Sequence, residues 1–252
     1  MVYYAAMTTL QHHAQAMGIT LNSEQIAAFQ RFSAELLDWN QRMNLTAITD
    51  PDEVESKHFL DSLSCLLALP HLDEQPLSAW LTRPLRAVDI GSGAGLPGLA
   101  LKIAWPALRL TLLDATAKKC RFMQHVADTL GLSDVTVVQA RAEDFGRHTG
   151  RMVFDLALAR AVARMPVLLE YGLPMLRQGG FFIVQKGRDA QQEIDNGRLA
   201  LRTLGGSLRF ARQVTVPGLE AERSLIVVAK TAQTPGVFPR RSGIPEREPI
   251  GG

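Results

Sequence analysis

Cysteine is scarce in this sequence, and so are the metal-binding patterns that depend on it. The chain has 2 cysteines among 252 residues, Cys65 and Cys120, which are too few for a disulfide framework and lack the spacing of a metal site. His12 and His13 form an isolated pair near the terminus, so we expect no metal ion there. Two lone thiols favour a reducing compartment, and we expect a cytoplasmic location.

Long apolar runs are also missing. No stretch approaches the roughly 20 apolar residues that a membrane-spanning helix needs. The N-terminus lacks the charged and then apolar order of a signal peptide. We therefore expect no membrane partner. A length of 252 residues fits one large α/β domain with an appendage, and we expect a monomer.

Charge is present but separated along the chain. The formal net charge is only +2, yet residues 1–80 contain 3 Lys or Arg and 10 Asp or Glu, whereas residues 81–252 contain 24 and 15. Scattered charge usually means a solvated, mixed surface. This separation instead raises the expectation of a polyanionic substrate for the basic part.

The most informative stretch runs from Ala87 to Gly98 and reads AVDIGSGAGLPG. Two β-forming residues precede four glycines, and residues of high helix propensity follow. This order predicts a strand, a glycine turn and a helix, which is the arrangement that binds nucleotide-like ligands at a helix N-terminus. A glycine turn without a ligand is the alternative, and we consider it the weaker one because seven positions match in the correct local context.

The glycine spacing indicates which ligand is bound. A dinucleotide site needs Gly-x-Gly-x-x-Gly, but Leu96 stands where its third glycine would be. The carboxylate of Asp89 would also repel a pyrophosphate, whereas it suits a cofactor that carries an ammonium and a sulfonium group. The pattern Asp-x-Gly-x-Gly-x-Gly resembles the first motif of class I S-adenosylmethionine-dependent methyltransferases. A nicotinamide-dependent oxidoreductase is therefore disfavoured.

The order of predicted elements agrees with an α/β, Rossmann-like fold. Five strand–helix units followed by an antiparallel strand pair predict a seven-stranded, mostly parallel sheet, as in class I methyltransferases. We predict three regions: a helical N-terminal part over 1–80, a Rossmann-like methyltransferase domain over 81–230, and an extended Pro-, Gly- and Arg-rich tail over 231–252.

Local signals predict several helix boundaries. Ser23 is the expected N-cap of the first clear helix. Asp50, followed by Pro51, resembles a capping box that begins the next helix, and Pro70 is expected to end it. A later helix is predicted over Leu168–Leu176, with the glycines at 179 and 180 closing it.

Residues after the predicted strands are candidate cofactor contacts. Asp114 ends the second strand about 20 residues after the glycines, where an acid can accept both ribose hydroxyls. After the third strand, Ala142 would offer an apolar contact to adenine, and Glu143 or Asp144 an acceptor for its exocyclic amine. Acids at a helix N-terminus are an equally good explanation of the last two.

Several stretches together resemble one family, the ribosomal RNA small subunit methyltransferase G family, also called glucose-inhibited division protein B. The resemblance covers most of residues 40–250. Its most specific segments are Asn44-Leu45-Thr46, His58-Phe59-Leu60-Asp61-Ser62 and the tail segment Phe238-Pro239-Arg240-Arg241-Ser242-Gly243-Ile244-Pro245.

The resemblance implies methylation of guanine N7 in 16S ribosomal RNA, with S-adenosylmethionine as donor. The partner would be that RNA or the small ribosomal subunit. By position, the implied cofactor contacts are Gly91, Leu96, Ala142, Glu143 and Arg160, to which we add Gly93 from the glycine motif and Asp114 from the ribose argument.

No catalytic acid or base is assigned. Guanine N7 carries a lone pair and no proton, so proximity and orientation are expected to dominate the catalysis. We assign Arg160 or Arg164 to guanine O6, to a phosphate or to the cofactor carboxylate, since an arginine donating to N7 would block the nucleophile. His58 and Asp61 lie three residues apart and could imitate a catalytic dyad, but we expect a packing pair.

Basic residues beyond the cofactor loops are candidate phosphate contacts, although each by itself is more typical of ordinary surface. The RNA-binding candidates are Arg164, Lys186, Arg188, Arg223, Arg240 and Arg241. Two alternatives stay open: a methyltransferase of another RNA or of a non-RNA substrate, and a noncatalytic RNA-binding protein that senses the cofactor.

Overall fold

The computed structural model describes residues 2–187 and 190–252. Its centre is a seven-stranded sheet in the order β3-β2-β1-β4-β5-β7-β6, in which all neighbours are parallel except those of β7. The predicted fold class is confirmed. The strands are β1 Arg86–Ile90, β2 Arg109–Asp114, β3 Val135–Gln139, β4 Phe154–Arg160, β5 Leu176–Lys186, β6 Gly206–Val214 and β7 Arg223–Lys230.

The helices cover both faces of this sheet. Alternate side chains of β1 enter different cores, because Ala87 packs in the core that contains the N-terminal helices, whereas Val88 and Ile90 pack in the core that contains the helices after β4 and β5. The helices that connect the strands are α7 Gly98–Ala104, α8 Ala117–Thr129, α9 Ala142–Arg147, α10 Met165–Gly172 and α11 Ala190–Leu204.

The N-terminal part packs onto the first of these faces through α2 Ser23–Met43, and α1 Val2–Ala16 packs against α2. Buried Phe32 of α2 lies 6.4 Å, between ring centroids, from Phe122 of α8. The cap of α2 differs from the prediction, because Asn22 and not Ser23 is the N-cap. The Asn22 side chain accepts from the Gln25 main-chain N–H, and Gln25 Oε1 accepts from the Asn22 main-chain N–H. The reciprocal pair satisfies two free N–H groups at once.

The next helical segment is irregular. It consists of α3 Pro51–Val54, a π-helical turn Glu55–Leu60, α4 Asp61–Leu63, a 3₁₀ turn Ser64–Ala68 and α5 Pro70–Asp73, followed by α6 Leu77–Trp80. Asp50 caps the segment as predicted, accepting from two main-chain N–H groups. Pro70 does not end the helical course, because it occupies the first turn of α5, where a missing N–H costs nothing.

A third predicted helix boundary is also wrong. The helix α10 ends at Gly172 rather than Leu176, and Gly179 and Gly180 lie inside β5 instead of capping a helix. A Cβ on Gly180 would lie 2.9 Å from the main-chain oxygen of Asp155 in β4. Gly180 therefore permits the close approach of two backbones in the sheet, and Gly179 takes a left-handed conformation with φ of 81°.

After β7 the tail, residues 231–252, runs back toward α9 and α10 and contains one short helix, α12 Ile244–Arg247. Pro239 lies against Gly146 of α9. Among the helices described, none combines the length and apolar character that crossing a bilayer requires. The carboxyl ends of β1 and β4 meet where the strand order reverses, which is where open α/β sheets bind ligands.

Candidate functional site

The glycine loop, residues 91–97, follows β1 and contains three glycines in the left-handed backbone conformation. Gly91, Gly93 and Gly95 have φ of 68°, 60° and 82°, which L-residues with a Cβ rarely adopt. The N–H of Gly91 donates to Leu113 of β2 at 2.8 Å, so the loop begins directly at the sheet edge. A Cβ on Gly93 would meet only the Gly91 oxygen at 3.9 Å, so this position faces open space.

Asp89 lies beneath this loop and not in front of it. Its side chain is fully buried, and Oδ2 accepts from the Gly98 N–H at 2.9 Å at the start of α7. Burial raises the pKa of Asp89 to about 7. The carboxyl group thus anchors the loop to the helix, whereas the sequence interpretation placed it opposite the cofactor's positive charge.

Two adjoining cavities open at this edge of the sheet, with volumes of about 280 and 520 Å³. Gly91, Lys119 and Ala161 line both. Ala161 has φ of 56°, a sparsely populated conformation that concentrates at functional sites. A ligand that spans both cavities would cross the glycine loop.

Asp114 lines the smaller cavity from the end of β2. Its Oδ2 accepts from the Gly93 N–H at 3.0 Å and its Oδ1 from the Thr116 N–H at 2.8 Å. Lys119 Nζ lies 3.8 Å from Oδ2. Each carboxylate oxygen can accept a further hydrogen bond, so the group can bind two adjacent hydroxyls.

Ala142 and Glu143 reach the same cavity from the first turn of α9. The Glu143 side chain is buried, with 3% of its residue surface exposed, and its Oε1 accepts from the Gly243 N–H of the tail at 2.8 Å. Tyr171 of α10 and Glu246 of α12 also line this cavity. Asp144 instead accepts from the Ser242 hydroxyl at 2.9 Å.

The larger cavity contains two arginines held by one carboxylate. Asp61 accepts from Arg160 Nη1 at 2.9 Å and from Arg223 Nε at 2.6 Å. Gln185, at the end of β5, donates to the Asp61 main-chain oxygen at 2.8 Å and to its Oδ1 at 2.9 Å. With 3% of Asp61 exposed, this network orients both guanidinium groups while the site keeps a net positive charge.

His58 takes part in a separate interaction. Its Nε2 lies 2.8 Å from the Thr46 hydroxyl, and that hydroxyl accepts from the Ile48 N–H. Burial, together with the charge of Arg160, lowers the pKa of His58 to about 4. The ring is therefore neutral at ordinary pH, and His58 and Asp61 bind different partners.

Of the remaining basic candidates, some are bound to other residues of the protein and some are exposed. Lys186 donates to the Ala163 oxygen at 2.7 Å and lies 3.1 Å from Glu193. Arg240 is bound to buried Glu170. Arg164 is exposed and donates to the Glu246 oxygen at 3.2 Å, and Arg241 is exposed. Arg188 lies outside the described residues.

Three residues that line the cavities were not among the predicted site residues. Gln185 and Tyr171 were not singled out, and Asp61 was expected to be a packing residue, although it organises the larger cavity. Gln185 could have been found, because a polar residue at the carboxyl end of a predicted buried strand faces the ligand crevice. Asp61 offered no comparable local signal, since its partners lie 99 and 162 residues away.

Comparison with known proteins supports one family. The model of the family described as rRNA small subunit methyltransferase G matches residues 25–225. A protein named ribosomal RNA small subunit methyltransferase G from Roseiflexus castenholzii is 46% identical over 97% of this chain and 100% of its own length. A protein of the same name from Alkaliphilus metalliredigens is 42% identical over 96% and 97% of the two chains.

Solved structures support the same fold at low sequence identity. A 1,6-didemethyltoxoflavin-N1-methyltransferase from Burkholderia thailandensis is 18% identical, covers 80% of this chain and 90% of its own, and has a TM-score of 0.52. A 16S rRNA (adenine(1408)-N(1))-methyltransferase from Catenulisporales acidiphilia is 14% identical, covers 62% and 89%, and has a TM-score of 0.50. With this fold, these cavities and these relatives, the chain belongs to the rRNA small subunit methyltransferase G family.

Proposed function

We propose that this protein transfers the methyl group of S-adenosylmethionine to guanine N7 of 16S ribosomal RNA, acting as a monomer in the bacterial cytoplasm. Relatives named ribosomal RNA small subunit methyltransferase G support the substrate class. One observation carries the proposal within the molecule: two cavities meet at Gly91, with the Asp114 carboxylate on one side and the Arg160–Asp61–Arg223 network on the other.

The residues of the smaller cavity fit the adenosine half of the cofactor. Asp114 has acceptor capacity for two ribose hydroxyls. Ala142 supplies an apolar contact, and Glu143 an acceptor for the exocyclic amine of adenine. The open space in front of Gly93 admits the amino-acid half beside Gly91 and Leu96.

S-adenosylmethionine supplies an electrophilic methyl group on a sulfonium, and the protein must place a guanine in line with it. Arg160 and Arg223 are oriented by Asp61 toward the larger cavity. They suit the cofactor carboxylate, guanine O6 or a backbone phosphate as acceptors. Neither is assigned to N7, because a donor there would occupy the lone pair that attacks.

Proton removal is not required of the protein in this reaction. N7 has no proton to lose, and the side chain best placed to imitate a base, His58, is hydrogen-bonded to Thr46 and held neutral by its environment. Catalysis then depends on proximity and orientation, which are worth up to roughly 7–11 kcal/mol in favourable cases.

The proposal is tested with methyl-labelled S-adenosylmethionine and either naked 16S RNA or assembled small subunits. We expect label in N7-methylguanine when nuclease digests are examined by mass spectrometry. Label on an exocyclic nitrogen, label only in another RNA or in a small molecule, or RNA binding without transfer would each contradict the proposal.

A further inference from the structure

The tail forms a part of the site that the family model does not cover, since that model matches residues 25–225. The tail is fastened to the methyltransferase domain at several points. Arg151 donates to the main-chain oxygens of Phe238 at 2.7 Å and Thr234 at 2.8 Å. These bonds fasten the start of the tail beside the turn that precedes β4, and a further attachment, at Arg240, is to α10.

A second attachment is the ion pair between Arg240 and Glu170. Glu170 of α10 is fully buried. Its Oε1 accepts from the Arg240 main-chain N–H at 2.8 Å, and its Oε2 from Arg240 Nη2 at 2.7 Å. Arg240 Nη2 also donates to the Glu248 oxygen at 2.7 Å, which ties the two ends of the segment 240–248 together.

Between these ends the tail reaches the smaller cavity. The Gly243 N–H donates to Glu143 Oε1, and the Ser242 hydroxyl donates to Asp144. Glu246 lines the cavity directly, and its main-chain oxygen accepts from Arg164. One Glu143 oxygen is thus occupied by the tail, which sets the rotation of the carboxylate and directs its other oxygen.

We propose that residues 238–248 are a wall of the adenosine site and that Arg240 is a positioning residue for adenine recognition by Glu143. This rests on the proposed placement of adenosine in the smaller cavity. Arg240 does not line that cavity. It acts by holding the tail on α10, so that Glu143 is oriented before the ligand binds and less ordering is needed on binding.

The test compares two ligands in the full-length protein by calorimetry. S-adenosylhomocysteine carries the adenine amine, whereas S-inosylhomocysteine has a carbonyl oxygen in its place, which a carboxylate acceptor repels. We expect the unaltered protein to prefer the first ligand by about tenfold or more, as a charge-assisted hydrogen bond predicts. Arg240→Ala should reduce this preference toward unity. The preference is a ratio, so partial unfolding of a variant, which weakens both ligands equally, leaves it unchanged.

Two further variants keep the outcome decisive. Arg241→Ala, at the exposed neighbouring position, should retain the full preference. The double variant Arg240→Ala with Glu170→Gln removes the buried unpaired charge that Arg240→Ala leaves, and it should lose the preference as the single variant does. Bound S-adenosylhomocysteine should in turn slow hydrogen exchange of tail amides such as Gly243, because coupling between two sites is reciprocal.

The outcomes separate the two proposals. If the unaltered protein binds neither ligand, the proposed cofactor site is wrong. If it binds both with equal affinity, Glu143 does not read the adenine amine and the inference fails while the methyltransferase proposal stands. If it prefers S-adenosylhomocysteine and both Arg240 variants keep that preference, the tail is a structural attachment only.

Discussion

At the residue scale, Asp61 shows how one buried carboxylate can organise a cationic site. Alone, two guanidinium groups in one cavity would repel each other, and their side chains would sample many rotamers. Asp61 binds both and is itself held by Gln185. The pair is therefore pre-organised, and a net positive charge is left for an anionic or carbonyl group of the ligand.

Asp114 allows a direct test of cofactor placement. We expect Asp114→Ala to weaken S-adenosylhomocysteine binding by at least tenfold, because two ribose hydrogen bonds to a charged acceptor, at about 1.5–3 kcal/mol each, are lost. Calorimetry measures the effect, and thermal unfolding reports the cost of the bonds to Gly93 and Thr116 that are lost with it. Unchanged affinity would remove Asp114 from the site.

His58 allows a test of the base-free mechanism. Single-turnover rates should stay nearly flat from about pH 6 to 9, because guanine N7 has no proton to remove and His58, whose pKa is lowered to about 4, does not titrate there. His58→Gln should leave this profile flat. The opposite result would be a rate that rises tenfold per pH unit near pH 6.5, with this rise abolished in His58→Gln. That result would identify His58 as a base and reopen the choice of target atom.

The lowered pKa of His58 also predicts how the stability of the protein depends on pH. The folded pKa of His58 lies below its ordinary value of 6.5, so the unfolded chain takes up a proton first as the pH falls. The contribution of His58 to the free energy of unfolding is complete above pH 6.5 and is lost as the pH falls toward 4. Denaturant titrations should show a weaker loss over this window in His58→Gln, and an identical loss would contradict the shift.

At the scale of elements, the glycine loop and the helix that follows it form one unit. Asp89 joins the end of β1 to the first turn of α7, and Gly91 and Gly93 take left-handed conformations between them. A Cβ on Gly98 would lie 2.8 Å from Asp89 Oδ2. Some glycines of the motif therefore allow close packing within the protein, and others face the cavity.

Two glycine variants separate these roles. Gly93→Ala and Gly131→Ala place a Cβ at nearly the same φ, 60° and 61°, and neither meets an atom closer than 3.9 Å. Both should lose about 1–2 kcal/mol of stability from left-handed strain. Only Gly93→Ala should also weaken S-adenosylhomocysteine binding, as measured by calorimetry, because Gly93 lines the larger cavity and Gly131 lines neither cavity. Equal binding losses in the two variants would place the ligand elsewhere.

At the scale of the whole molecule, charge is divided between an acidic N-terminal part and a basic remainder. Several of the basic side chains are engaged in internal ion pairs, including Arg160, Arg223 and Arg240. The net charge counted along the sequence therefore overstates the positive charge that is available to bind RNA. Arg241 of the tail is exposed and is a candidate for a phosphate contact.

Salt dependence tests this division. We expect RNA binding to weaken steeply with salt, and Arg241→Ala to reduce the slope of log affinity against log salt by about 0.7–0.9, the value for one phosphate contact. Arg31→Ala is the matched control, because Arg31 is an exposed arginine in the acidic N-terminal part. An unchanged slope in Arg241→Ala would mean that this arginine does not contact RNA.

Much of the fold and part of the candidate site could be predicted from local sequence. The strand, glycine turn and helix at residues 86–104, and the cap at Asp50, depend on residues close together in the chain. Local backbone preference and burial period decide such features. For the same reason Asp114, at the end of a buried strand and a fixed distance after the glycines, could be selected without a structure.

The sequence by itself determined the sheet, its ligand crevice and the family. Only the tertiary structure decided that Asp61 joins Arg160 to Arg223, that Asp89 lies beneath the loop, and that Arg240 turns inward to Glu170. These partners are separated by 9 to 162 residues, and whether a charged side chain faces RNA or a buried counter-ion depends on which surfaces the folded chain brings together. Local pattern carries no information about that pairing.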